Sequence, residues 1–167
     1  MKIELKNISF EPNKKVVIED ISLIINDGIT TFLGQNGSGK TTLMKLMCNI
    51  IEPTDGDIFI NKNNIKNIPR NQLAKTISYV SQDRENLQGF TVYEYTEMGR
   101  FPYQNFIGLY DDVSNEIIDD SLKTVNMYNR KDEYVNNLSG GEMQILRIAR
   151  SLACLLYTSD AADEHGC

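Results

Sequence analysis

The sequence of 167 residues lacks a long apolar run, has few cysteines and carries no excess of basic side chains. No stretch approaches the roughly 18 consecutive apolar residues that a membrane-spanning helix needs. The cysteines, at positions 48, 154 and 167, have neither metal-site spacing nor the even number of a disulfide framework. The formal net charge of −6, without a basic stripe, argues against nucleic acid as the main partner. Since the start, Met1 to Glu4, is charged too early for a signal peptide, we expect one soluble cytosolic domain.

The clearest motif is the run from Gly34 to Thr41, which fits the phosphate-binding pattern G-x-x-x-x-G-K-[ST]. The apolar run Ile29 to Leu33 before it predicts a buried strand, and helical spacing from Leu43 to Ile50 predicts a helix after it. Glycines in such a turn let backbone N–H groups surround an anion, and the helix N-terminus adds its positive end. A chance glycine turn is the alternative, and the matching flanks disfavour it.

In this loop Lys40 is predicted to reach the β- and γ-phosphates, and the Thr41 hydroxyl is predicted to ligate Mg²⁺. The predicted nucleotide-contacting residues of the loop are Gly34, Asn36, Gly37, Ser38, Gly39, Lys40, Thr41 and Thr42.

A second motif, Leu138-Ser139-Gly140-Gly141-Glu142, precedes a helical run from Met143 to Ala153. By itself Ser-Gly-Gly indicates only a loop and a helix cap. Between the two motifs lies Gln82, at the end of the strand-like run Ile77 to Ser81. This ordered trio resembles the ATP-binding-cassette (ABC) ATPases, with their Walker A loop, Q-loop glutamine and LSGGE signature. The resemblance covers Met1 to about Ala153.

The resemblance implies an α/β fold: a P-loop NTPase core of the ABC-ATPase type with an inserted helical subdomain. Residues 1–82 would form the nucleotide-binding core, 83–137 the helical subdomain, and 138–153 the signature motif with its helix. Local patterns predict strands at Ile3 to Ile8 and Ile58 to Ile60, and a short helix around Pro69. They also predict helices at Val92 to Met98 and at Ile117 to Val125, the latter with Ser114 as N-cap.

In that family two subunits pair head to tail, and each ATP lies between the Walker A loop of one subunit and the signature of the other. Ser139, Gly140 and Gly141 would therefore serve the ATP of the partner. Gln82 would contact Mg²⁺ and the attacking water, although a Gln at a strand end is ordinarily just a polar terminus. Phe10 matches the aromatic position that stacks on adenine, and a core Phe is the alternative.

The resemblance also implies partners and a location. The ATPase would bind transmembrane permease subunits, and through them a substrate-binding protein, with no nucleic acid involved. It would lie at the cytoplasmic face of the membrane as a peripheral protein.

We interpret the last residues of the sequence, about 154–167, as not belonging to the native protein. Cys154 to Glu164 match the translation of a transposase adapter used in sequencing libraries, so we expect about 154–167 to be non-native and the native sequence to stop after about Ala153. Asp163-Glu164 falls near the place of the family's Walker B pair, but the polar and small residues before it cannot make a buried parallel strand. The catalytic Glu and the switch His are therefore expected to be absent. A chain without that base should not hydrolyse ATP at a useful rate.

One run indicates a branch of the family. Glu97 to Tyr103, with its Gly-Arg-Phe-Pro core, resembles a segment of importers of iron–siderophore complexes, haem and cobalamin. Leu73-Ala74 and an acidic residue at 111 or 112 fit the same branch. The alternative is that Gly99-Arg100 ends a helix with a glycine and a cation, and that Pro102 stops it.

Three other functions stay open. The first is an ABC exporter or lipoprotein-release ATPase, which the Gly-Arg-Phe-Pro run disfavours. The second is a soluble ABC protein that acts on ribosomes or DNA. The third is a nucleotide-binding module without hydrolysis.

Overall fold

A computed structural model describes residues 1–81, 87–104 and 113–156 of the chain. The chain divides into two compact units, Met1–Leu73 and Ala74–Cys167. Gln82, the acidic pair at 111 and 112, and the residues after 156 lie outside the described ranges. Within those ranges no helix is both long and apolar enough to cross a membrane.

The first unit contains a four-stranded antiparallel sheet of β1 (Ile3–Phe10), β2 (Ile18–Ile25), β3 (Asp55–Ile60) and β4 (Asn63–Asn64). The strand order is β2-β1-β3-β4. Strand β1 pairs with both β2 and β3, and its residues Ile3, Leu5 and Ile8 are buried. The strands predicted at the start of the chain and at Ile58 to Ile60 are confirmed by β1 and β3.

The strand predicted immediately before the phosphate loop is wrong for this structure. Residues 29–33 have no regular secondary structure, and Ile29 and Leu33 are 99% and 90% exposed. A strand persists only where a neighbour takes its backbone N–H and C=O groups, and within the described residues no strand pairs with this run. The run Ile77 to Ser81 in the second unit is likewise without strand structure. Apolar composition alone therefore did not make either run a strand.

The helix predicted after the phosphate loop is present as α1, Lys40–Met47. Its buried side chains, Leu43, Leu46 and Met47, follow the predicted helical spacing, whereas Ile50 lies beyond the end of the helix and is exposed. A short helix, α2 (Arg70–Ala74), follows Pro69 as predicted.

The second unit is helical and packs around one apolar core. Helix α4 begins at Ser114, and its N-cap is Val113, so the prediction of Ser114 as the cap is wrong. Instead, the buried Ser114 hydroxyl accepts a hydrogen bond from Arg100. The helices are α3 (Val92–Glu97), α4 (Ser114–Thr124) and α5 (Gly140–Leu155), with a 3-10 helix at Met98–Tyr103. Their core consists of Val92, Tyr95, Ile118, Leu122, Met127, Val135, Leu146 and Ala149.

Candidate functional site

The phosphate loop folds around the side chain of Lys40. The Lys40 ammonium donates hydrogen bonds to the carbonyl oxygens of Gly34 (2.8 Å) and Gln35 (2.7 Å) and lies 3.3 Å from Ser38 Oγ. Ser38 N–H closes the turn by donating to the Gln35 carbonyl at 3.2 Å. The positive charge therefore sits within the loop. A phosphate oxygen entering there would offer it a charged acceptor, which forms a stronger hydrogen bond than a neutral carbonyl.

Glycine is strongly favoured at Gly39, and Gly34 lies close to a side chain of the same loop. Gly39 is the N-cap of α1 and has a φ of 87°, in the left-handed region that favours glycine. A Cβ added to Gly39 would lie 2.9 Å from Ile18 Cδ1 and 3.1 Å from the Val17 carbonyl oxygen. A Cβ added to Gly34 would lie 2.8 Å from Ser38 Oγ. The loop is thus held against the start of β2 by contacts that leave no room for a side chain.

The N-terminus of α1 has the groups needed to bind a phosphate and a Mg²⁺ ion side by side. Its N-cap provides no side-chain hydrogen bond, and its first turn, which lies wholly within the described residues, contains no acidic side chain. The first N–H groups of a helix have no carbonyl partner inside the helix, and the helix dipole makes this end positive. Thr41 and Thr42 lie in this turn, and a hydroxyl there can ligate Mg²⁺ beside the phosphates. The residues present therefore fit a Mg²⁺–nucleotide.

Phe10 lies next to the same loop. It ends β1 and pairs with Ile18, and its carbonyl accepts a hydrogen bond from Val17 N–H at 3.0 Å. Ile18 and Val17 are also the residues nearest to Gly39. The half-buried Phe10 is therefore a close neighbour of the loop within the first unit, and its adenine contact stays a prediction.

The signature motif forms the exposed start of α5. Ser139 is the N-cap of the helix and forms a capping box with Glu142: Ser139 N–H and the Ser139 hydroxyl both donate to Glu142 Oε2 at 2.7 Å. Gly140 and Gly141 are exposed, and a Cβ on either would stand in open space among the described atoms. Leu138 and Met143 on either side pack against the helical core. The glycines are therefore presented to solvent from a fixed base.

Arg130 binds the carboxylate of Glu142, the last residue of the signature, in addition to the hydrogen bonds from Ser139. It pairs with Glu142 and also binds Glu133 through two hydrogen bonds of 2.7 and 3.0 Å. Hydrogen bonds from Ser139, followed by the Arg130 contact, lower the pKa of Glu142 to about 2. Hydrogen bonding to Arg130 also lowers the pKa of Glu133. Glu142 is thus ionised at neutral pH, and its charge suits the positive end of α5.

Four further residues show where the sequence-based predictions and the structure differ or cannot be compared. Gln82 lies outside the described residues, so its contact with Mg²⁺ and water stays a prediction. The sequence did not reveal the role of Arg130, because its partner Glu142 lies 12 residues further on and no local pattern joins the two. The alternative placed Arg100 at the end of its own helix, and Arg100 does lie in the last turn of the 3-10 helix, while its side chain bonds to the far end of α5. Pro102 lies within the 3-10 helix and does not stop it.

The sequence profile of the ABC transporter family matches residues 18–156. The chain is 30% identical over 152 residues to the petrobactin import ATP-binding protein FpuD of Bacillus anthracis, covering 90% of the chain and 56% of the relative. It is 34% identical over 140 residues to the iron(3+)-hydroxamate import ATP-binding protein FhuC of Bacillus subtilis (strain 168), covering 83% and 52%.

A solved ATP-binding cassette of an ABC transporter, in its ADP conformation, matches with a TM-score of 0.78 at 23% identity, covering 92% of this chain and 65% of that one. This likeness confirms the predicted α/β cassette fold. The chain spans about half the length of the curated relatives that it matches.

Proposed function

The chain belongs to the ABC transporter family, and we propose that it is the ATP-binding part of an importer for an iron–siderophore or a related metal chelate. The observation that carries the proposal is the loop closed around the Lys40 ammonium at the open start of α1. The substrate class rests on the relatives, which are named for petrobactin and iron(3+)-hydroxamate import.

The proposed mechanism uses two separate anion sites. Lys40 and the first N–H groups of α1 bind the phosphates of ATP, Thr41 and Gln82 hold Mg²⁺, and Phe10 stacks on adenine. Ser139, Gly140 and Gly141 bind the ATP of a second subunit paired head to tail. The γ-phosphate then joins the two subunits, and its loss separates them. Permease subunits at the cytoplasmic face of the membrane receive this movement and, with a substrate-binding protein, complete the importer.

The hydrolytic base is a separate part of the proposal. The family's carboxylate pair follows an apolar strand, whereas the residues before Asp163-Glu164 in this sequence are small and polar and do not suit a buried parallel strand. We therefore propose that this chain binds Mg²⁺–ATP and releases phosphate far more slowly than a protein of the relatives' full length. A phosphate-release assay run beside the binding titration separates binding from turnover.

Nucleotide binding is tested by titrating the chain with a fluorescent ATP analogue in the presence of Mg²⁺. Lys40→Ala should weaken binding about 10- to 100-fold, because it removes the charge-assisted hydrogen bonds to the phosphates. Lys45→Ala, in the last turn of the same helix, is the matched control and should leave the Kd within about two-fold. An unchanged Kd in Lys40→Ala would contradict the assignment of the loop.

The substrate class is tested in cells that carry the full-length gene. Disruption of the gene should abolish uptake of radiolabelled ferric chelates, the wild-type gene should restore it, and the Lys40→Ala gene should not. Uptake that continues at the wild-type rate without the gene would contradict the import proposal and favour an exporter or a soluble ABC protein.

A further inference from the structure

We propose that Arg100 is a positioning residue that locks the C-terminal end of α5 and thereby fixes the signature at the other end of the same helix. The inference rests on the proposed function, because it concerns how the signature meets the ATP of a second subunit. The Gly-Arg-Phe-Pro-Tyr run, which resembles a segment of metal-chelate importers, would then also have a structural role within the second unit.

The Arg100 side chain is completely buried, which is rare for a charged group without partners. Its Nη1 donates to the carbonyl oxygens of Ala153 (2.9 Å) and Leu156 (3.2 Å), and its Nε donates to Ser114 Oγ at 3.1 Å. The last carbonyls of a helix have no partner inside the helix and form its negative end. A buried cation is therefore placed where α5 most needs a donor.

Tyr103 completes the same contact. Its hydroxyl donates to the Cys154 carbonyl at 2.8 Å, and the Arg100 guanidinium stacks over its ring at 3.7 Å from the centroid. Together Arg100 and Tyr103 reach three backbone carbonyls in the last turn of α5 and at its cap. The acceptor at Ala153 precedes the segment interpreted as non-native, and the other two contacts use main-chain oxygens, which any residue at 154 and 156 provides when the helix continues there. The planar guanidinium can serve several acceptors in fixed directions and stack at the same time, which a lysine ammonium cannot do.

Gly99 sets the distance between the 3-10 helix and α5. A Cβ on Gly99 would lie 2.3 Å from the Arg150 carbonyl oxygen and 3.3 Å from Ala153 Cβ. Since the nearer atom belongs to the backbone of α5, no side chain could move aside to make room. The glycine thus lets the Arg100 segment approach closely enough to bind the helix end.

Helix α5 can carry this constraint to the signature. It has 16 residues, and at 1.5 Å per residue it is about 24 Å long. Leu146 and Ala149 in its middle are buried in the apolar core, and close-packed interiors transmit displacement because they compress little. A shift or tilt at Ala153 is therefore expected to move the start of the helix, where Ser139 and Gly141 are exposed and are supported by the capping box, by Arg130 and by the packing of Leu138 and Met143.

The test uses the full-length gene product, at the length of the relatives, with Arg100→Lys and Tyr103→Phe as variants. Lys75→Ala is the matched control, because the Lys75 ammonium lies over the same Tyr103 ring at 4.6 Å on an exposed side chain. Three quantities are measured: the Kd for a fluorescent ATP analogue on dilute protein, the melting temperature, and the ATP-dependent dimerisation constant by sedimentation in EDTA, where hydrolysis stops.

Arg100→Lys should weaken ATP-dependent dimerisation about ten-fold and Tyr103→Phe about three-fold, while the Kd for ATP on dilute protein changes by less than about two-fold. Lys75→Ala should match the wild type in all three measurements. A purely structural role would lower the melting temperature without this split between nucleotide binding and dimerisation.

Unchanged dimerisation in both variants, or an equal loss in Lys75→Ala, would overturn the inference. If Arg100→Lys does not fold, Tyr103→Phe decides alone, because it removes one hydroxyl and keeps the ring under the guanidinium. A wild-type protein that fails to bind ATP would overturn the proposed function instead, so the two failures are distinguishable.

Discussion

Helices α1 and α5 both begin at a glycine-rich turn, but their first N–H groups are satisfied in different ways. At α1 the N-cap is Gly39 in the left-handed region, with no side-chain cap and no acid in the first turn. At α5 the N-cap is Ser139, which is closed by a capping box with Glu142 and supported by Arg130. The positive N-terminal end of α1 is therefore available to a ligand, whereas the N-terminal end of α5 already binds the Glu142 carboxylate.

This difference indicates a division of tasks between two motifs that look alike in the sequence. The start of α1 is suited to bind phosphate by itself, because its cation lies in the loop and no acid competes. The start of α5 is stable without a ligand, and its exposed glycines leave backbone accessible on one side. We expect substitutions at the start of α1 to act on nucleotide binding as well as on stability, and those at the start of α5 to act on helix stability and on the second subunit.

The largest expected effect is at the α1 start. Gly39→Ala should lower the free energy of unfolding by about 2 kcal/mol, because alanine is strained at positive φ and its Cβ meets the Val17 carbonyl. Gly37→Ala, at a φ of 83° but with open space around the Cβ, should cost only about 1 kcal/mol. Urea unfolding followed by circular dichroism measures both free energies of unfolding. Equal losses in the two variants would show that the close approach of Gly39 to Val17 and Ile18 does not contribute to the cost.

A smaller effect is expected at the α5 start. Ser139→Ala should lower the free energy of unfolding by about 1 kcal/mol, because it removes the cap that accepts from Glu142 N–H. The melting temperature of the isolated chain measures this loss. Gly141→Ala is the control and should leave stability unchanged or raise it slightly, since alanine favours a helix more than glycine does. A loss in Gly141→Ala as large as that in Ser139→Ala would contradict the capping argument.

The smallest effect is a dependence of stability on pH. The folded pKa of Glu142, about 2, lies below the ordinary value of 4.5, so this carboxylate contributes stability above about pH 4.5 and loses it as the pH falls toward 2. The wild type should therefore melt at a higher temperature than Glu142→Gln at pH 6, and this difference in melting temperature should shrink as the pH falls to 3.

Glu97 provides a control of opposite sign. Burial, with some repulsion from Glu94, raises its pKa, so its ionised form is disfavoured in the fold and the wild type should gain from protonation as the pH falls. Glu97→Gln should be more stable than the wild type at pH 7 and lose that advantage in acid. Parallel pH profiles of the two variants would contradict both assignments.

The sequence predicted local elements better than it predicted pairing. Helix α1 appeared where its apolar spacing placed it, and the helix cap that Ser-Gly-Gly indicates is present at Ser139. The run Ile29 to Leu33 did not become a strand, because a strand depends on neighbours that its own composition does not contain. Propensity is a local quantity, whereas sheet formation is not.

The role of Arg100 could not be read from the sequence for the same reason. Its acceptors at Ala153 and Leu156 lie more than 50 residues away along the chain. The alternative interpretation placed Arg100 at the end of its own helix, where it does lie, but it did not predict that the guanidinium binds the carbonyls at the end of α5. Only packing of the 3-10 helix on α5, made close by Gly99, determines which carbonyls the guanidinium reaches.

The exposed run from Ile29 to Leu33 has a consequence for how a cell handles this chain. Its sequence, Ile-Thr-Thr-Phe-Leu, contains neither charge nor proline, and its two ends are almost fully exposed. Short uncharged segments rich in β-branched and aromatic residues are the sites where chains stack into cross-β aggregates. We therefore expect these five residues to promote aggregation of the chain despite its net charge of −6, and to offer a binding segment to chaperones that recognise extended apolar runs.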